Sequence, residues 1–280
     1  MRRGTIRSFK AKGAREARSV SGYPDRWRSE VIARAIFVLT GREAGEQFLK
    51  VLPDLREMGL SEATILHLVS AKKGPAEPMP DLANWVRHFE SAIPKVELAL
   101  KRGNAVKWIY ELARVRHADI VVISDAREAA DWDLERISSP LRSLGIPILY
   151  LPECGVTTSL SERVLVAIKS AEAFDRALPG LVEWFGEAKL EGVHVASRAN
   201  DRVRKCAGVT LRTIRQTRDV ATSLSECAAE RGASLVALLA DDEGVAENAQ
   251  RGVPVVRPYI EHTDRPVLIW PIHTKTDRSR

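Results

Sequence analysis

Glycine is missing where an α/β nucleotide site would most need it. In "ADIVVISDAREAADWDLERISS" (118–139) a short apolar strand ends in Ser-Asp. From Asp125 to Ser139 there is no glycine, and five acids (Asp125, Glu128, Asp131, Asp133, Glu135) face two arginines (Arg127, Arg136). A phosphate cradle needs glycines for close backbone approach and free N–H groups as donors. This segment offers no glycine. Cysteine is also scarce: Cys154, Cys206 and Cys227, an odd number without C-x-x-C spacing. That argues against a disulfide framework or a zinc site, and it fits a reducing, cytoplasmic setting. No apolar run approaches the ~18 residues of a membrane span. The start "MRRGTIRSFKAKGAREARS" has no apolar core, so it does not read as a secretory signal. Its arginines leave an organellar transit peptide open.

Catalytic signatures are absent as well. The histidines (67, 88, 117, 194, 262, 273) show no H-x-x-x-H or H-E-x-x-H spacing, and no G-x-S-x-G, Walker-A or G-x-G-x-x-G occurs. Nothing assembles a nucleophile, a base and an oxyanion donor, so the expectation is a protein that is not an enzyme, with no metal and no obligatory cofactor. Aromatics make up 6% of the chain, and the six tryptophans form no basic–aromatic array for stacking single-stranded bases. Trp85 and Trp132 lie beside loops, open to reading as core caps or as partner contacts.

Positive charge is concentrated at one end. Residues 1–34 hold ten Lys/Arg against Glu16, Asp25 and Glu30, a balance of +7, while the whole chain carries +6. The remainder is therefore close to neutral. Such an arm can contact nucleic acid or an anionic membrane surface, or it can be a solvated, unfolded extension.

The most informative feature is an internal repeat. "AIFVLTGREAGEQFLKVLPDLREMG" (35–59) matches "RVLVAIKSAEAFDRALPGLVEWFG" (163–186), with Phe48, Leu52 and Pro53 against Phe174, Leu178 and Pro179. "HADIVVIS" (117–124) matches "GASLVALL" (232–239), and "GIPILYLP" (145–152) matches "DRPVLIWP" (264–271). The order is the same in both copies. The chain reads as a basic arm (1–30), a first unit (31–152), a linker (153–161), a second unit (162–272) and a tail (273–280). In the first unit the pattern predicts strands at 35–40, 63–70, 95–101, 119–124 and 147–151. Helices fall at 43–58, 104–116 and ~132–144, with a short one in "LANWVRHFES". Asn104 is a suitable N-cap, after which Val106, Ile109, Tyr110 and Ala113 share a face. In the second unit, strands fall at 163–168, 190–196, 209–215, 234–240 and 266–270, and helices at 171–186 and 219–231. "ASRANDRVRKCAG" reads as a connector. Continuous apolar strands, without alternation, indicate parallel sheets covered on both faces. Cys227 sits on an apolar helix face as core filling, and His67 and His194 occupy matching strands as packed histidines.

This order and its duplication resemble the universal stress protein family in its tandem form, over about 31–152 and 162–272. The opening strand–turn–helix, the apolar strand "DIVVIS", the closing "PILYLP" and "PVLIWP" and Gly103 in "LKRGNAV" carry the likeness. The resemblance implies an α/β fold of two tandem doubly wound domains, each a mostly parallel five-stranded sheet flanked by helices. It also implies an intramolecular pseudo-dimer paired through strands 147–151 and 266–270, leaving no unpaired edge. ATP-binding members place an Asp at the end of the first strand, and G-x-x-G followed further on by G-[ST] after the fourth. Here Thr40 and Lys169 stand where that Asp would be, and Gly244 and Gly252 in "DDEGVAENAQRGV" do not meet the spacing. The resemblance therefore implies the non-ATP-binding type, acting in stress response by binding a protein partner or by regulation. Two alternatives stay open. One is a nucleotide or anion sensor, for ATP or another adenine nucleotide, using Thr40, Gly41, Arg42, Asp125, Lys169, Ser170 and Gly244 at the strand ends. The other is nucleic-acid or membrane-surface association through the arm. A homodimer of the whole chain is also open.

Overall fold

The computed structural model describes residues 32–39, 44–69, 82–124, 134–152, 159–186, 189–197, 202–206, 208–241 and 256–272. The first half comprises β1 (Arg34–Leu39), α1 (Ala44–Glu57), β2 (Glu62–Val69), α2 (Leu82–Ala92), β3 (Lys95–Arg102), α3 (Ala105–Val115), β4 (Ile120–Ser124), α4 (Leu134–Ser143) and β5 (Ile148–Leu151). The second comprises β6 (Val164–Ile168), α5 (Ala171–Phe185), β7 (Leu190–Ala196), β8 (Arg202–Cys206), β9 (Val209–Arg215), α6 (Val220–Glu230), β10 (Leu235–Asp241), α7 (Val256–His262) and β11 (Val267–Ile272). Predicted boundaries agree to within about two residues, the usual fraying of element ends.

All eleven strands form one sheet, in the order β3-β2-β1-β4-β5-β11-β10-β6-β7-β9-β8. Its pairings are parallel except β5 with β11 and β8 with β9. β1 and β4 show why the interior reads as unbroken apolar runs: Ala35–Leu39 and Ile120–Ser124 are buried throughout. Both faces are covered, so neither side of the pleat can be polar. Alternate side chains feed two cores. Phe37, Ile65 and Val122 join Phe48 and Leu55 of α1, Phe89 of α2 and Phe174 of α5 on one face. Ile36, Val121 and Leu165 join Ile109 of α3, Leu141 of α4, Leu224 of α6 and Tyr259 of α7 on the other. Phe37 meets Phe48 and Phe89 edge to face, with centroids 5.3 and 4.7 Å apart.

The two halves join at the expected strands. β5 and β11 pair antiparallel, with Leu149 opposite Leu268 and Ile148 opposite Ile269. Both cores run through this seam. Trp270 stands edge to face with Trp184 of α5 at 4.9 Å, and a Cβ on Gly180 would lie 2.6 Å from the Trp270 ring. Asp54 of α1 adds a clasp: it accepts from Ser159 Oγ and from the Leu160 backbone N–H, each at 2.7 Å. The segment leading into β6 is thereby fixed to a helix of the first half.

The repeat extends to backbone detail. His117 and Gly232, matched in sequence, both adopt left-handed backbone after a helix (φ 53° and 59°). The next matched polar pair holds the start of each central strand. Asp119 accepts from the Ala33 and Arg34 N–H groups at 3.0 and 2.9 Å, and Ser234 Oγ accepts from the Arg163 N–H at 2.9 Å. Asn104 caps α3 as expected, accepting from the Lys107 N–H at 3.0 Å. Gly103 before it has φ 98°, which is costly for any residue with a Cβ.

Three expectations are corrected. The supposed connector "ASRANDRVRKCAG" contains β8, which pairs antiparallel with β9, and Gly208 just before β9 has φ 87°. A helix, α7, precedes the last strand where none was expected. The pairing of β5 with β11 does not remove every edge: it joins the inner edges, and β3 and β8 end the sheet.

Candidate ligand crevice

Doubly wound sheets bind ligands beyond the strand carboxyl ends, where the strand order reverses. Here the reversals lie between β1 and β4 and between β6 and β10, because the chain leaves each central strand first to one side and later to the other. Of the residues expected there, Lys169 and Ser170 are placed as predicted, directly after β6. Lys169 is exposed. Ser170 has extended backbone and caps α5, its Oγ accepting from the Ala173 N–H at 3.2 Å. That hydroxyl is committed to the helix. Thr40, Gly41, Arg42, Asp125 and Gly244 lie outside the described residues.

The described part of the first crevice contains two side chains not among those candidates. His67, on β2, pairs across the sheet with Leu39, the last residue of β1. Ser124 closes β4, one step past the Val38–Ile123 pair. Alternation puts Ser124 on the same face as Val122, the α1 side, as is Leu39. His67 and Ser124 thus flank the end of β1 from either side, two strand spacings or about 10 Å apart. His67 is 8% exposed and Ser124 1%, and both His67 Nδ1 and Ser124 Oγ are buried without a hydrogen-bond partner. Orphaned polar atoms are uncommon in folded proteins and call for a cause. Burial lowers the His67 pKa below its ordinary 6.5, with the Leu39 backbone opposing more weakly. Burial therefore favours the neutral ring, and Nδ1 is the ring atom left without a partner. Nδ1 of a neutral imidazole and a hydroxyl can bond an uncharged polar ligand group. The sequence signal was present in both cases: a polar residue closing or interrupting an apolar strand.

His194, the counterpart of His67, pairs with Ile168 at the end of β6 and is half-buried. Among the described residues no group of three or more His, Cys, Asp or Glu is arranged to hold a metal ion. Cys227 is 5% exposed; burial raises its thiol pKa and makes it a core residue, not a nucleophile. Burial likewise pushes the Tyr259 phenol up to about 12.

No family model matches the sequence, and no curated protein matches it. Among solved structures, the chain is similar to a universal stress protein from Archaeoglobus fulgidus DSM 4304, with a TM-score of 0.62 and 17% identity over 87% of this chain and 97% of that one. The fold is that of the universal stress proteins. The likeness extends to a functionally unknown protein from Pseudomonas aeruginosa PAO1, with a TM-score of 0.53 and 10% identity over 88% of this chain and 94% of that one. At these identities the comparison concerns architecture. Nearly the whole length of the archaeal chain is matched by this fold. Among the described residues, no helix is long and apolar enough to cross a membrane.

Proposed function

We propose that this chain is a tandem universal stress protein of the non-ATP-binding type, acting in stress response by binding or regulation, without bond-making chemistry. Its two units are 31–152 and 162–272, joined by 153–161. The observation that carries the reading is the antiparallel β5–β11 seam, which encloses both halves of a dimer in one chain. The segment 125–139 has no glycine, and Gly244 and Gly252 do not meet the spacing of a phosphate cradle. The charge of the surrounding segments supports the same conclusion, since 125–139 and 241–252 each carry a net −3. Negative charge of this kind repels a triphosphate, most strongly at low salt. The partner is a protein, or a ligand with uncharged polar groups able to satisfy His67 and Ser124. The test is thermal unfolding with and without excess ATP, ADP or AMP and Mg²⁺. A ligand at one hundred times its Kd would add about 2.7 kcal/mol, or roughly 5–10 °C for a chain of this size. No shift is expected.

A second reading is favoured by one observation. Lys169 follows β6 at the β6/β10 reversal and immediately precedes the N-terminus of the fifteen-residue α5. A cation beside a helix N-terminus suits an anion. On this reading the protein senses a phosphate- or carboxylate-bearing ligand, and Lys169→Ala abolishes the response.

A further inference from the structure

We infer that β3 is a self-complementary docking edge through which two copies of this chain join into one continuous sheet. β3 pairs with β2 along its whole length, from Glu62–Lys95 to Val69–Arg102, and it ends the sheet on that side. An eight-residue outer strand is long for an unprotected edge. Two of its side chains are out of keeping with a solvated edge. Leu98 is 42% exposed and Leu100 56%, two of the four exposed large hydrophobics among the described residues. Both point to the α2 face, in step with Val96. Lys101, a charge that would ordinarily blunt such an edge, lies over the Trp108 ring on the opposite face, 4.6 Å from its centroid.

The sequence of β3 selects the occupant. Two copies related by a two-fold axis normal to the sheet pair antiparallel. Alternation requires the axis to pass through a residue, so that facing side chains share a side. An axis at Ala99 sets Leu98 against the partner subunit's Leu100 and Glu97 against the partner subunit's Lys101, each twice. The four leucines then cover one another on one face, and two opposite-charge pairs form on the other. An axis at Leu98 would set Lys95 against the partner subunit's Lys101, and an axis at Leu100 would set Glu97 against the partner subunit's Gly103, with no cation opposite it. The other edge offers no such match. β8 reads Arg-Val-Arg-Lys-Cys, and no acid occurs between Arg202 and Arg218. Pairing β8 with itself or with β3 brings like charges together.

One strand edge is small beside the roughly 1,200–2,000 Å² of a stable interface, so association is concentration-dependent, in the micromolar range. The test is sedimentation equilibrium of the full chain from low to high micromolar concentration. The wild type should move from monomer to dimer, and Leu100→Lys, at an exposed site, should weaken dimerisation about tenfold or more. Glu97→Lys and Lys101→Glu should each do the same, and the double swap should restore it. The swap also controls for the intrachain Glu97–Arg116 ion pair at 2.5 Å, which Glu97→Lys removes. In a Cys154→Ser, Cys206→Ser background, Ala99→Cys should form an interchain disulfide on mild oxidation, because facing Cα atoms in an antiparallel pair stand about 4.5–5.5 Å apart. A monomer at every concentration would overturn the inference. So would a dimer indifferent to the charge variants and to Ala99→Cys.

Discussion

Replacing Asp54 with alanine tests how the two halves are held together. The carboxylate is 9% exposed on α1 and accepts two hydrogen bonds of 2.7 Å, from Ser159 Oγ and from the Leu160 N–H. Leu160 is itself 2% exposed, so its N–H has no easy route to water once the acceptor is gone. Hydrogen bonds to charged groups are worth about 1.5–3 kcal/mol, and an orphaned buried donor costs about 1–3 kcal/mol. The Ser159 hydroxyl can turn to solvent, so its bond counts for little. Asp54→Ala should therefore cost about 2–4 kcal/mol. Asp54→Asn keeps one acceptor oxygen and should lose roughly half as much. Urea unfolding monitored by far-UV circular dichroism measures both. The clasp spans the halves, so its loss should also speed proteolysis within 153–161. A cost below about 0.5 kcal/mol with unchanged proteolysis would refute the claim that Asp54 fixes the second half to the first.

His117→Gly should stabilise the chain by about 1 kcal/mol, since a left-handed residue with a Cβ costs about 1–2 kcal/mol and the matched position already holds Gly232; urea unfolding reads it. Gly180→Ala should destabilise: the alanine gains up to about 1 kcal/mol of helix propensity but drives a Cβ to 2.6 Å from the buried Trp270 ring. Overpacking of that kind costs about 1–3 kcal/mol, so a net gain on denaturation would show that the seam has slack. Stability should fall as pH drops below about 6.5, because the lowered His67 pKa means the unfolded chain takes up a proton there before the folded one. His67→Leu should flatten that slope, measured by unfolding between pH 5 and 7, and an unchanged slope would place the titration elsewhere. Ser124→Ala should be neutral to slightly stabilising, since its orphaned hydroxyl has no bond to lose.

Much of the architecture was legible because burial writes itself into sequence. Runs such as "IFVL" and "IVVI" admit few alternatives once both sheet faces are covered, and Asn104 with its apolar period fixes α3. The seam was legible from the matched "PILYLP" and "PVLIWP", each able to end a sheet at its own half. β8 was not, because five residues with three cations carry no apolar period and are held as a strand by the hairpin with β9. α7 contains Pro258 and spans seven residues, too few for a helical period to emerge. The outer edges were missed because strand order, not local composition, determines which strands have one neighbour. At the crevice, Lys169 and Ser170 could be placed because a strand end and a helix cap flank them. The role of His67 could not: its burial depends on Leu39 and Leu100, which are far from it in sequence and adjacent through the sheet.

Calorimetric titration of the full chain with ATP and Mg²⁺ tests the central claim most directly, since it asks whether the strand-end crevices cradle phosphate. No saturable heat is expected with the protein shown to be folded. Micromolar binding at one site per chain, abolished by Lys169→Ala, would contradict it and mean that a cradle exists without the expected glycines.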